Sequence, residues 1–266
     1  FVGPGRMPEM PLSAPASTDM SAVVNPRIDA SKRLIVALDV PTVKEADQIV
    51  NELGGAVSFY KIGLHLQWDA DVKSFIQNLI DSEKDVFIDY KYSDIGETMR
   101  GGVAGAAKRG IKFLTIQGNG ENTVQGMRAA VAGKSGAGFP KIFFVTVLTS
   151  LDDDDLRGIG IQVSAQDLAV ARARMAAEAG LDGVIASGRE AAAIRDATPE
   201  SFLIISPGIR PAGADFDDHK RSCTPTEAIA AGADYLVVGR PIIRQQDRRA
   251  AAQRIISDMQ EAFDSR

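Results

Sequence analysis

Asp89, Lys91 and Asp94 stand close together in the run DYKYSD, and Lys61 lies upstream in AVSFYKIG. Residues two apart on a strand point to the same side. A strand through DYKYSD therefore turns Asp89 and Lys91 toward one pocket and Tyr90 away from it. Lys61, on a neighbouring strand, can reach Asp89, so an alternating row of Lys61, Asp89, Lys91 and Asp94 becomes possible. Neighbours of opposite sign keep each group charged when it is partly buried. A lysine held this way is a proton donor at a fixed distance from a reacting carbon. The alternative reading of the same residues is a salt-bridge ladder that closes one end of a sheet, since ion-pair networks of purely structural use have the same composition.

A second group of residues suits an anion. VVGRPI places Gly239 and Arg240 after an apolar run, and SPGIRP places Gly208 and Arg210 after another. Glycine lets backbone N–H groups approach phosphate oxygens, and arginine offers a forked cation. The polar segment from Pro211 to Cys223, with Gly213 and several Asp residues, has the composition of a lid that closes over a ligand. Simple turn formation is the plainer reading of the glycines. Asp152 to Asp155 reads as a solvated loop or a first helical turn rather than a metal site, because one contiguous run rarely wraps an ion. His65, flanked by Leu64 and Leu66, reads as a packing or surface residue, and Cys223 as a small packing residue without a basic partner.

Short apolar runs alternate with helical patterns along the whole chain. The expected strands are RLIVALD ending at Asp39, AVSFYKIG at 56–63, DVFIDYK ending at Lys91, FLTIQ at 113–117, KIFFVTVL ending at Leu148, GVIAS ending at Ser187, FLIISPG ending at Gly208 and YLVVGR ending at Arg240. Helices are expected from Thr42, a plausible N-cap, to Leu53, from about Asp69, over 97–109, from about Asn122, over 164–179, from about Arg189, from near Thr224 and over 247–263. The strands are continuous apolar runs, as a parallel sheet buried on both faces requires. Repeated strand–helix units favour a closed α/β barrel, a single (β/α)₈ TIM barrel, over an open sheet, and no GxGxxG follows the first strand. In such a barrel the site gathers at the C-terminal ends of the strands, where Asp39, Lys61, Asp89, Lys91, Thr149, Ser150, Arg210 and Arg240 are expected.

The 266 residues suffice for one such barrel, which commonly takes about 250. The expected organisation is a poorly ordered tail over 1–30, rich in Pro, Ser, Ala and Met, and a barrel over 31–266. The tail lacks the basic start and apolar block of a signal peptide. No apolar run reaches the roughly 18 residues of a membrane span. A formal net charge of −5 argues against general binding of nucleic acid or anionic membranes. The single cysteine excludes an intrachain disulfide, and the two histidines lack zinc-site spacing. A cytoplasmic protein is the expectation.

At these residues the sequence resembles the orotidine 5′-monophosphate decarboxylase family. The similarity runs from Arg33 to Phe263 through IVALDV, YKIG, DYKYSDIGET, VTVLTS, SPGIRPAG and GADYLVVGRPI. Sugar-phosphate relatives share DxKxxD, but typically carry a carboxylate at the position of Lys61 and use magnesium. The resemblance implies a carboxy-lyase with no cofactor and no metal, acting on orotidine 5′-monophosphate. It implies that Lys91 protonates C6 of the pyrimidine and that Asp89 sits beside the substrate carboxylate. Lys61 would bond Asp89 and the ribose, and Asp39 the ribose hydroxyls. Thr149 and Ser150 would contact the pyrimidine, and Arg210, His219, Gly239 and Arg240 the phosphate. Asp94, Ile95 and Thr98 would reach the active site of a partner subunit, which implies a homodimer. The sequence departs from the family pattern at Ser93, Gly96, Glu97, Gln117 and His219. Rival readings are a magnesium-dependent sugar-phosphate decarboxylase or aldolase, a non-catalytic nucleotide-phosphate binder, and a Schiff-base lyase using Lys91.

Overall fold

The computed structural model describes residues 27–118, 123–213 and 220–266. Eight parallel strands close into a barrel in chain order. They are β1 (Leu34–Ala37), β2 (Phe59–Ile62), β3 (Asp85–Tyr92), β4 (Phe113–Ile116), β5 (Lys141–Val145), β6 (Gly183–Ile185), β7 (Leu203–Ser206) and β8 (Tyr235–Val238). The helices between and after them are α1 (Val43–Leu53), α2 (Val72–Asp81), α3 (Gly96–Lys108), α4 (Thr123–Ala132), α5 (Asp153–Gly158), α6 (Ala165–Glu178), α7 (Ala191–Ala197), α8 (Pro225–Ala230), α9 (Arg240–Ile243) and α10 (Arg248–Asp264). The expected (β/α)₈ order is present. Seven of the strands are shorter than the apolar runs suggested, because their ends belong to the loops at the mouth, and β3 runs one residue past Lys91, to Tyr92.

Local chemistry accounts for the helix starts. Thr42 accepts the Glu45 N–H, Ser164 accepts the Asp167 N–H, and Thr224 forms a reciprocal cap with Glu227. Asp152 and Asp155 form the same reciprocal cap, so the carboxylate run opens α5 as a first helical turn. The α2 helix starts at Val72 rather than Asp69, because the Asp69 carboxylate accepts the Val43 and Asp71 N–H groups and holds the preceding turn. Arg240 begins α9 instead of ending β8, and Pro241 suits the first turn of a helix. The tail had been expected to extend to residue 30. Ala30 is instead fully buried, its N–H donates to Gln260 on α10, and Arg27 pairs with Asp264. The remainder of the tail and the expected start of α4 at Asn122 lie outside the described residues.

Strand parity divides the interior in two. Leu34, Val36, Tyr60, Ile62, Ile88 and Leu114 face the helices and join the large outer core. Ile35, Phe59, Phe87, Phe113, Phe143 and Val237 face the barrel axis. The Phe113 ring lies 4.8 Å from Phe59, 4.6 Å from Phe143 and 5.1 Å from Tyr235, centroid to centroid. This aromatic layer fills the barrel below the mouth. The next inward position on each strand, two residues on, carries Lys61 after Phe59, Asp89 after Phe87, Thr115 after Phe113 and Val145 after Phe143. The core thus fixes which side chains reach the mouth.

Candidate active site

A cavity of about 560 Å³ opens at the C-terminal ends of the strands. Its floor is the aromatic layer through Phe87, and apolar walls come from Val145, Val147, Ile185 and Val237. Asp39, Lys61, Asp89 and Lys91 stand on one side of it, with Thr149, Ser150, Arg210, Gly239 and Arg240 also on its surface. Sequence reasoning had named each of these.

The charged side chains form a continuous row. Lys61 Nζ lies 3.6 Å from Asp39 Oδ1 and 3.1 Å from Asp89 Oδ2. Lys91 Nζ donates to Asp89 Oδ1 at 2.9 Å. The Thr115 hydroxyl donates to the same oxygen at 2.8 Å and accepts the Lys91 N–H at 3.0 Å. Burial opposes the charge on Asp89, but Lys61 and Lys91 outweigh it and bring the carboxyl down to about 2. Burial likewise opposes the charge on Lys61, and Asp89 and Asp39 outweigh it, so its ammonium sits above the ordinary lysine range. Both groups are therefore ionised at neutral pH despite burial. Gly63 keeps this corner open. A Cβ there would lie 3.3 Å from Asp39 Oδ1 and 3.4 Å from Lys61 Nζ.

Lys91 reaches the row from an unusual backbone. Its φ is +51°, and the β3–β4 register is irregular between Ile88 and Tyr92. Non-glycine residues seldom adopt this region, and where they do the surroundings must hold them there. Tyr90, as expected, turns outward and packs on the outer core.

Arginine dominates the part of the mouth that follows β7 and β8. Arg210 is buried beside Gly208, whose φ of +71° requires glycine, and its N–H bonds Cys223 O at 2.9 Å. Arg240 opens α9, and Arg244 follows one turn later and also lines the cavity. Sequence reasoning missed Arg244, although its four-residue spacing from Arg240 was the signal. Gly239 lies against β1, where a Cβ would stand 3.5 Å from Ala37 Cβ. Cations outnumber carboxylates along the cavity wall, so an anion is favoured there although the whole chain is acidic.

Asp94, Ile95 and Thr98 are exposed and do not line the cavity of this chain. The row of the single chain is consequently Asp39–Lys61–Asp89–Lys91, and the Asp94 carboxylate accepts the Ile95 N–H at 2.7 Å. His219 and the rest of 214–219, within the segment read as a lid, lie outside the described residues, which resume at Lys220. His65 is exposed yet lines the cavity, 3.9 Å from Asp39 Oδ1. Cys223 is a packing residue whose thiol burial pushes up to about 11.

Behind Thr149 and Ser150 lies a buried ion pair that sequence reasoning did not single out. Arg221 pairs with Glu190 and donates to the carbonyls of Val147, Leu148 and Leu151. Burial pushes the Glu190 carboxyl up, with Arg221 pulling against it. Among the described residues no cluster of three or more His, Cys, Asp or Glu side chains is arranged to hold a metal ion. Among them, too, no helix is long and apolar enough to cross a membrane.

Residues 32–255 match the orotidine 5′-phosphate decarboxylase / HUMPS family. A protein named orotidine 5′-phosphate decarboxylase from Nitrobacter winogradskyi is 49% identical over 234 residues, covering 88% of this chain and 95% of that one. One of the same name from Afipia carboxidovorans is 47% identical, covering 88% and 96%. Among solved structures, orotidine 5′-phosphate decarboxylase from Lactobacillus acidophilus superposes with a TM-score of 0.74 at 32% identity, covering 86% of this chain and 99% of that one.

Proposed function

Because the chain belongs to the orotidine 5′-phosphate decarboxylase / HUMPS family, we propose that it converts orotidine 5′-monophosphate to uridine 5′-monophosphate and carbon dioxide, without a cofactor, in the de novo synthesis of pyrimidine nucleotides. The observation that carries the choice within the family is the Lys61 ammonium 3.1 Å from Asp89. By the resemblance described above, magnesium-dependent sugar-phosphate relatives have a carboxylate in its place.

The chemistry is hard because orotate has no electron sink for the pair left at C6 when the C–C bond to the carboxylate breaks. The residues must act by charge and proton delivery. Lys91 stabilises the negative charge that develops at C6 and then transfers its proton to that carbon. Asp89 faces the departing carboxylate and holds Lys91 in place. Lys61 and Asp39 take the ribose hydroxyls, and Thr149 and Ser150 the pyrimidine. Arg210, His219, Gly239 and Arg240 grip the phosphate, which is remote from the reacting carbon. Binding energy realised there orders the site around the transition state and raises turnover as well as affinity. Asp94, Ile95 and Thr98 complete the site of a second copy in a cytoplasmic homodimer. In support, Ile95 is a large apolar side chain that is 66% exposed in the single chain.

The test is the loss of orotidine 5′-monophosphate absorbance with purified protein, with and without a chelator. Conversion to uridine 5′-monophosphate that is indifferent to the chelator is expected. Folded protein that leaves the nucleotide intact overturns the reading, and sugar phosphates become the next substrates to try.

A further inference from the structure

The inward row of the barrel mouth continues past Lys61 and Asp89 to a neutral residue, Thr115 on β4. It is fully buried, and stands two residues above Phe113 in the aromatic layer. Its branched side chain has few rotamers to choose from. Its hydroxyl is 3.0 Å from the Lys91 N–H and 2.8 Å from Asp89 Oδ1. A hydroxyl has one proton. The Lys91 N–H can only donate, so it takes a lone pair of the hydroxyl, and the hydroxyl proton is left for the carboxylate.

Both bonds answer a local need. The β3–β4 ladder is irregular between Ile88 and Tyr92, where Lys91 sits at a φ of +51°. A backbone N–H without a regular ladder partner requires another acceptor, and the Thr115 hydroxyl supplies it. On the other side, Asp89 Oδ1 takes the Lys91 ammonium as well as this hydroxyl, while Oδ2 faces Lys61. One side chain therefore touches both the backbone and the counter-ion of Lys91.

We propose that Thr115 is a positioning residue for the Asp89–Lys91 pair, its hydroxyl holding the Lys91 backbone in the left-handed turn and fixing the rotamer of the Asp89 carboxylate. The proposal rests on the decarboxylase reading for its effect on rate, and on geometry alone for its effect on the Lys91 backbone.

The experiment compares the parent protein with Thr115→Val, which keeps the shape and removes the hydroxyl, and Thr115→Ser, which keeps the hydroxyl. Steady-state decarboxylation of orotidine 5′-monophosphate gives kcat and KM, calorimetry gives the Kd of uridine 5′-monophosphate, and NMR gives the amide exchange rate of Lys91. Thr115→Val should lower kcat by about 10- to 100-fold, the loss expected for one hydrogen bond to a charged group. KM and the product Kd should stay within about threefold, because the hydroxyl lies outside the nucleotide grip. Lys91 exchange should accelerate in Thr115→Val and return to the parental rate in Thr115→Ser, with kcat recovering alongside. Thr115→Val within about threefold of the parental kcat, or Thr115→Ser losing as much as Thr115→Val, overturns the proposal. Should Thr115→Val not fold, Thr115→Cys, with its weak donor, takes its place under the same criteria. A parent protein that does not decarboxylate removes the reading of the activity. The Lys91 exchange rate then decides the positioning role by itself.

Discussion

Asp89 is the pivot of the row, since two lysines and a hydroxyl converge on its two oxygens. Its folded carboxyl sits near 2, below the ordinary 3.8. A depressed carboxyl adds stability that is fully present above the unfolded value and is lost as the pH falls through the folded one. Lys61 acts in the opposite range: its raised ammonium adds stability below its ordinary value, which is lost as the pH climbs past the folded one. Lys91→Ala removes one of the two cations at Asp89. The carboxyl then rises toward its ordinary value, and the stability difference between about pH 5 and about pH 2 should narrow by about 1 kcal/mol in denaturant titrations. The same variant should nearly abolish turnover while calorimetry still detects product binding. Near-parental turnover would mean that Lys91 only closes a salt-bridge ladder.

At the scale of elements, the segments that carry Thr149 and Ser150 are joined through Arg221. This buried guanidinium ties Val147, Leu148 and Leu151 after β5 to Glu190 before α7, and the Ser187 hydroxyl donates to the Arg221 carbonyl at 2.6 Å. Arg221→Leu leaves three carbonyls without this donor and pushes the buried Glu190 carboxyl further up. We expect a loss of about 3–5 kcal/mol in chemical denaturation, with faster amide exchange over residues 147–151. Arg221→Lys should recover little, because one ammonium cannot reproduce the planar fork. A loss under about 1 kcal/mol would show that the loops hold themselves in place. This network was hidden from the sequence because, apart from Glu190, the acceptors of the Arg221 guanidinium are backbone carbonyls, which carry no residue signature. Strand order and the Asp89–Lys91 pair were legible, because both follow from apolar runs and two-residue parity. Applied to β4, the same parity places Thr115 inward beside Asp89, and attention to charge alone passed over it. The left-handed turn at Lys91 could not be read, since lysine gives no sign of it. The shortened strands were misjudged because a polar strand end and a polar loop start look alike in sequence.

Across the whole molecule, the outer helices and the inner aromatic layer do separate work. The outer core closes the barrel, and the inner layer sets the height at which the charged row begins. Phe113 stands at the centre of that layer, its ring within 4.6 to 6.0 Å of Phe59, Phe87, Phe143 and Tyr235. Phe113→Ala should cost about 3–5 kcal/mol, read as a lowered denaturation midpoint, since the surrounding rings are held by different strands and cannot all collapse into the gap. A cost below about 1 kcal/mol would mean that the layer repacks freely.

That same layer makes the barrel a blind well. Phe59, Phe87, Phe113 and Phe143 are each no more than 1% exposed, so nothing passes along the axis beneath Lys61 and Asp89. All traffic uses the mouth. If the reaction is the proposed one, carbon dioxide is released beneath a nucleotide whose phosphate is gripped at the rim. The gas must slip past its own co-product or wait for it to go.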